Sequence, residues 1–197
     1  LFNRVRNHSI MKKLNEVTIG TQVWMTKNLD VSTFRNGDLI PEVKTNEEWK
    51  AAGENKQPAC CYYQNDPANG ENFGKLYNWY AVNDPRGLAP EGWHVPSGDE
   101  WTKLIDFLGG ESKAGSKMKS ETGWLKEYSS GSQSTNSSSF NGLPGGSRSN
   151  DGPFYGIGST GFWWSSPKRA RSLSFNNGVV GRASALEVGF SVRCLGD

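Results

Sequence analysis

The chain has 197 residues, a formal net charge of +2, 24 glycines, eight tryptophans and three cysteines. That length suits one domain with a real buried core. The near-neutral charge argues against a nucleic-acid face, three cysteines are too few for a disulfide scaffold, and no stretch is apolar and long enough to cross a membrane.

Residues 1–16 read as a leader ahead of one domain over 17–197. Leu1 to Leu14 is positively charged but lacks the apolar centre of a signal peptide, and Met11-Lys12-Lys13 is a candidate start. Val17 to Met25 predicts two short strands around a turn at Gly20, because β-branched and aromatic residues flank a turn residue. Asn36-Gly37-Asp38 is a further turn signal. Thr45-Asn46-Glu47-Glu48 is a capping box that starts a short helix through Trp49 to Ala52, with Gly53 as its expected stop. Leu76, Trp79 and Tyr80 fall at helical spacing, so Lys75 to Val82 is expected to be a helix. Trp93-His94-Val95 reads as a short extended segment. Ser97-Gly98-Asp99-Glu100 is a second capping box, and the helix behind it puts Trp101, Leu104, Ile105 and Leu108 on one face, ended by Gly109-Gly110. Ser129 to Ser139 is a Ser-rich loop. From Phe140 onward the chain is glycine-punctuated and β-like.

The catalytic inventory is thin. Gly156-Ile157-Gly158-Ser159-Thr160-Gly161 fits the dinucleotide-binding glycine pattern, but Phe162-Trp163-Trp164 after it is no helix start. Asn65 to Glu71 resembles a calcium loop in composition, yet Pro67 stands where an oxygen ligand belongs. His94 reads as a packed core histidine. No serine has a nucleophile-elbow context and no Cys or His pair has zinc spacing. Cys60 or Cys61 could bridge to Cys194, or all three could be buried small hydrophobes. No enzyme activity, cofactor or metal is therefore expected, and binding comes before catalysis.

Several blocks resemble one family. They are Gln22 to Leu29, Phe34 to Asp38, Gly74 to Val82, Gly87 to Pro96, Asp99-Glu100-Trp101, Phe140 to Gly146, Trp163-Trp164-Ser165-Ser166 and Gly189 to Cys194. Together they are similar to the Fibrobacter succinogenes major paralogous domain of gut Bacteroidetes and their phages. That resemblance implies an α+β, C-type-lectin-like fold of the formylglycine-generating-enzyme branch. Such a fold would have two main helices, a small twisted antiparallel sheet and long loops. Trp93 to Trp101 resembles a helix start of that branch, and Gly189 to Arg193 resembles its terminal Gly-Phe-Arg strand. The branch's paired catalytic cysteines and the lectins' calcium motifs have no counterpart, so the resemblance implies the scaffold without either chemistry.

Family members fill the segment before the last strand with Asn and Tyr. Here Ser174 to Val188 is rich in Ser, Gly, Ala and Val, which substitution of adenines in Asn codons can produce. Proteins diversified by retroelements look like this, and drift in an exposed loop gives the same pattern. The expectation is a solvent-facing surface from Arg169 to Glu187, displayed on a cell or virion surface for a protein or glycan ligand. Neither nucleic acid nor membrane insertion is expected. Arg169, Arg171, Phe175 and Arg182 would supply binding energy. Ser172, Ser174, Asn176, Val179, Gly181, Ala183, Ser184, Ala185 and Glu187 would supply shape. Trp163, Trp164 and Phe190 would anchor the surface from below. The alternatives are a structural surface or fibre module and a formylglycine-generating-type enzyme.

Overall fold

Turn chemistry near the start of the domain sets up the first pairing. A computed structural model of the protein describes residues 15–126, 134–183 and 187–197. Strands β1 (Glu16–Ile19) and β2 (Gln22–Met25) form the expected hairpin, with Gly20 at φ +63° in its turn. The other end of the chain returns to this hairpin. Strand β11 (Leu195–Gly196) lies between β2 and β5 (Trp93–His94), giving the sheet order β1-β2-β11-β5. Two residues, β3 (Cys60–Cys61), pair with β4 (Leu76–Tyr77) in a separate ribbon. The larger sheet has the order β10-β9-β8-β6-β7. Its strands are β6 (Gly145–Arg148), β7 (Phe154–Ile157), β8 (Thr160–Ser165), β9 (Arg169–Ser174) and β10 (Val180–Ala183). The expected single small antiparallel sheet is thus two sheets and a ribbon, with one parallel pairing where Gly146 of β6 meets Gly161 of β8.

Both capping boxes form. Helix α1 (Asn46–Glu54) starts with Thr45 Oγ1 accepting from the Glu48 amide and the Glu48 carboxylate accepting from the Thr45 amide. It does not stop at Gly53. That glycine lies inside the helix, where a Cβ would come within 2.9 Å of the Glu187 side chain, so close packing and not helix termination accounts for it. Residues 75–82 are not one helix. Leu76 and Tyr77 are strand, and Asn78 then caps the single-turn α3 (Trp79–Val82), which follows α2 (Gly70–Phe73). Helix α4 (Gly98–Phe107) holds Trp101, Leu104 and Ile105 inward, with Leu108 buried behind it. A helix the periodicity misses, α5 (Glu111–Met118), follows the glycine pair at once. Its Gly115 costs helix stability on propensity grounds, about 1 kcal/mol against Ala. A Cβ there would sit 2.4 Å from the Gly178 carbonyl of the β9–β10 turn, so close approach explains the glycine.

The larger sheet is a middle layer. On one face Trp163, Leu173 and Val180 join Trp24, Trp101, Phe140 and the inner sides of α4 and α5. On the other, Trp164 and Ala170 join Tyr77, Trp79 and Phe190. The rings interlock at centroid distances of 4.9 Å for Trp24–Trp101, 5.9 Å for Phe140–Trp163 and 5.0 Å for Trp164–Phe190. Trp163, Trp164 and Phe190 are therefore buried, as expected of anchors. Cys60, Cys61 and Cys194 are free and buried. Burial pushes their thiols up to about 12, 11 and 12, so none is held as a thiolate. His94 is not a core residue. It is 37% exposed and bridges Asp197 at 2.8 Å and Glu100 at 3.1 Å.

Candidate ligand-binding surface

The candidate residues sit on a three-strand meander. Strand β9 pairs with β8 from Thr160↔Ser174 to Ser165↔Arg169, and β10 pairs back on β9 from Val180↔Leu173 to Ala183↔Ala170. Alternation then divides the candidates, because successive side chains in a strand point to opposite faces. Arg169, Arg171 and Arg182 share the face of Trp163, Leu173 and Val180, on the side of α4 and α5. Ser172, Ser174, Gly181 and Ala183 share the face of Ala170 and Trp164. They do not form one surface. Ser184 and Ala185 lie outside the described residues.

Exposure divides them again. Pro167, Lys168, Arg169, Asn176, Asn177, Val179 and Arg182 are exposed, whereas Ser172, Ser174, Phe175, Gly181, Ala183 and Glu187 are half-buried. The exposed residues fall at the two ends of the hairpin. At ~3.3 Å per residue, a strand the length of β9 separates these ends by about 17 Å.

The far end, residues 174–179, is tightly held. Asn176 Oδ1 accepts from Ser174 Oγ at 2.8 Å, Asn177 Oδ1 accepts from the Val179 amide at 3.0 Å, and Lys119 Nζ donates to the Ser174 and Asn177 carbonyls. Gly178 rests on Ser116 of α5. Only the side chains of Asn176, Asn177 and Val179 reach out from this framework. Glu187 has a backbone duty, its carbonyl accepting from Trp49 Nε1 at 3.0 Å.

The near end is a basic cavity. It holds about 360 Å³ between the β8–β9 turn and the start of α4, and Arg169, Arg171 and Arg182 line it with Gly98, Thr102 and Ser166. Arg182 is exposed and bonds Glu111 of α5, with Nη2 to Oε1 at 2.8 Å and Nε to the same oxygen at 3.2 Å. That partner holds the Glu111 carboxyl below its usual range.

Arg171 departs from the sequence expectation, because it is only 5% exposed. It lies across from Trp163 on one strand and from Arg182 on the other, so α4 covers it. Its Nη2 reaches the Gly98 carbonyl at 3.2 Å and Thr102 Oγ1 at 3.3 Å, and its Nε is buried without an acceptor among the described residues. Burial first, then the Arg182 charge, lowers its pKa from the ordinary arginine value. Sequence reading found Arg171 but missed its surroundings. Gly98, Thr102 and Glu111 stand some 60 to 70 positions away, and the capping box announced the α4 start without saying what faces it.

Among the described residues no group of His, Cys, Asp and Glu could hold a metal ion, and no helix is long and apolar enough to cross a membrane. The family model described as the Fibrobacter succinogenes major domain matches residues 17–195. Neither the curated proteins nor the solved structures give a match to the chain.

Proposed function

The chain belongs to the Fibrobacter succinogenes major domain family, and we propose that this member is a ligand-binding display domain rather than an enzyme. Its binding surface is the exposed part of residues 167–188. One observation carries the reading. The β8–β10 meander is fastened from both faces by buried aromatic and aliphatic side chains, while Lys168, Arg169, Asn176, Val179 and Arg182 reach solvent from it. Exposed side chains on a fixed backbone can be exchanged at little cost to stability, and a rigid display loses little entropy on binding. The burial of all three thiols fits a scaffold with no nucleophile at work.

We read the scaffold as C-type-lectin-like, supported by the return of β11 to pair with β2 of the opening hairpin. On this reading the ligand is a protein or a glycan met at a cell or virion surface, and the small and basic residues of the segment are one product of retroelement diversification.

A glycan and protein array tests the binding claim. It is probed with the domain and with a variant carrying Ala at positions 168, 169, 176, 179 and 182. Discrete hits that the variant loses, at a melting temperature within a few degrees of the parent, are expected. No hits, or hits that survive the variant, would overturn it. Diversification is tested in the genome: relatives differing only over 167–188, beside a template repeat and a reverse transcriptase, are expected, and differences spread over the whole chain exclude it.

A further inference from the structure

The near-end cavity contains a chemical demand that the protein does not meet. A guanidinium carries five N–H donors in a planar fork. Arg171 is 95% removed from solvent by its 5% exposure, yet only its Nη2 is engaged, at 3.2 and 3.3 Å to neutral oxygens, and its Nε has no acceptor. Buried charges are ordinarily paired, because an unpaired one is costly to hold away from water.

The start of α4 faces the same space. Its first-turn amides are assigned to Ser166 O from Gly98 and to Ser97 Oγ from Glu100, and the Asp99 amide between them has no acceptor among the described residues. A helix start carries a partial positive charge and suits an anion. Charge on the walls points the same way. Three guanidiniums, those of Arg169, Arg171 and Arg182, line the space against the single carboxylate of Asp99, and Glu111, which bonds Arg182, stands outside the lining. Like-charged Arg171 and Arg182 stand directly opposite in the β9–β10 register, a pairing that costs stability unless an anion lies between.

We propose that this cavity is an oxyanion subsite, in which Arg171 and the α4 start take a carboxylate, sulfate or phosphate group while Arg169 and Arg182 close over it. It deepens the binding reading above by giving the ligand an acidic group, and it rests on that reading only for the ligand's identity. A cavity of about 360 Å³ exceeds the needs of the oxyanion itself and leaves room for a sugar-sized carrier.

The test is a titration by amide NMR at fixed ionic strength, with sodium sulfate, phosphate, acetate and glucuronate, against chloride and neutral glucose. Saturable shifts confined to residues 97–102, 166–171 and 182 are expected with the oxyanions. Tighter binding of glucuronate than acetate marks an acidic sugar, and equal binding marks the free group. Arg171→Met should weaken binding at least tenfold. Should that variant fail to fold, exposed Arg169→Gln should weaken it at least threefold. Shifts that never saturate, that appear equally with chloride, or that persist in both variants would overturn the subsite. A saturable oxyanion response without array hits would keep the subsite and remove the display reading, and array hits without that response would do the reverse.

Discussion

Arg148 and Arg193 are as deeply buried as Arg171, and the two regions house their guanidiniums in opposite ways. Arg148, on β6, is 0% exposed. Its Nε donates to Gly152 O at 2.8 Å, Nη1 to Val43 O at 2.9 Å, and Nη2 to Lys44 O at 3.0 Å and Thr45 O at 2.8 Å, between the rings of Trp49 and Phe154. Arg193, also 0% exposed, bonds Asn28 Oδ1 from Nε and Nη2, reaches the Met25 and Phe140 carbonyls from Nη1, and lies on the Phe140 ring at 4.6 Å. Complete burial lowers its pKa to about 9, still charged at neutral pH. These two cations join segments distant in sequence by collecting backbone carbonyls from several of them. Arg171 joins almost nothing, having two long bonds and an idle Nε. A satisfied buried cation holds the fold together, and an unsatisfied one beside a cavity is held ready for something else.

The largest expected effect tests the satisfied side of this contrast. Arg148→Met leaves the carbonyls of Val43 and Gly152 without their donor and takes one of two donors from those of Lys44 and Thr45. Each buried unsatisfied group costs about 1–3 kcal/mol, so two of them reach about 2–6 kcal/mol, the lower end of the ~5–15 kcal/mol of a whole domain. A large drop in the urea midpoint, followed by circular dichroism, is expected. A transition near that of the parent would show that these bonds are replaceable by water.

Trp101→Ala comes next, removing the ring packed at 4.9 Å on Trp24 and 5.7 Å from Phe140, at a cost of roughly 3–5 kcal/mol in the denaturation midpoint. Its indole N–H is buried without an acceptor among the described residues, so Trp101→Phe should cost far less than the alanine change. Arg171→Met, by contrast, should move stability by no more than ~1 kcal/mol and could raise it, because replacing an unpaired buried ion by a hydrophobe of similar volume is often neutral or better. Equal losses for Arg148→Met and Arg171→Met would erase the distinction between the two regions.

This contrast was only half legible in the sequence. The family match, the mixed α+β composition, both capping boxes, the β1–β2 hairpin and the α4 core face could all be read locally, since each depends on neighbours within one or two turns. The stretch from Arg169 to Arg182 was noticed for its basic and small residues. Composition alone made it one surface, whereas strand alternation sends its side chains to two faces and α4 covers Arg171. Helix α5 was missed because Gly115, Ser112 and Ser116 blur its periodicity, and it is tertiary approach to Gly178 that requires that glycine. The burial of Arg148 and Arg193 was not legible, because no local signal shows that carbonyls from segments about 100 or more positions away converge on them. Cys60 and Cys194 share one core cluster, so burial explains them without a bridge.

A smaller, pH-dependent effect also lies at the start of α4, where His94 meets Glu100. Burial alone would lower the His94 pKa, but its bonds to Asp197 and Glu100 outweigh that and raise it above 6.5. Burial would likewise raise Glu100, and its bonds to Ser97 and His94 outweigh that and lower it below 4.5. The His94 contribution is therefore complete below pH 6.5 and lost as pH rises through its raised folded value. The Glu100 contribution is present above pH 4.5 and lost as pH falls through its lowered one. Stability followed by thermal melts should peak between these limits, and His94→Gln should flatten the alkaline side. Because His94 is 37% exposed, solvent screening keeps the effect small. The cavity response to oxyanions should be unchanged in this variant, since His94 does not line that space.

The smallest expected change in stability belongs to the third way this protein holds an arginine. Arg182 bonds Glu111 with side chains 56% and 49% exposed. Exposed pairs contribute about 0–1 kcal/mol and are screened by salt, so Glu111→Gln should barely move the melting temperature, and less still in high salt. Its effect on binding should run the other way. With Glu111 neutral, Arg182 is released from its partner and its charge is free to serve the cavity, whose lining holds three guanidiniums against the Asp99 carboxylate. Sulfate should then bind severalfold more tightly to Glu111→Gln than to the parent, with the gain shrinking as ionic strength rises. An exposed arginine whose ion pair is nearly irrelevant to folding would thus set affinity at the cavity, while the buried and satisfied Arg148 does the reverse. Unchanged sulfate affinity in Glu111→Gln would mean that Arg182 belongs to the α5 surface and not to the cavity.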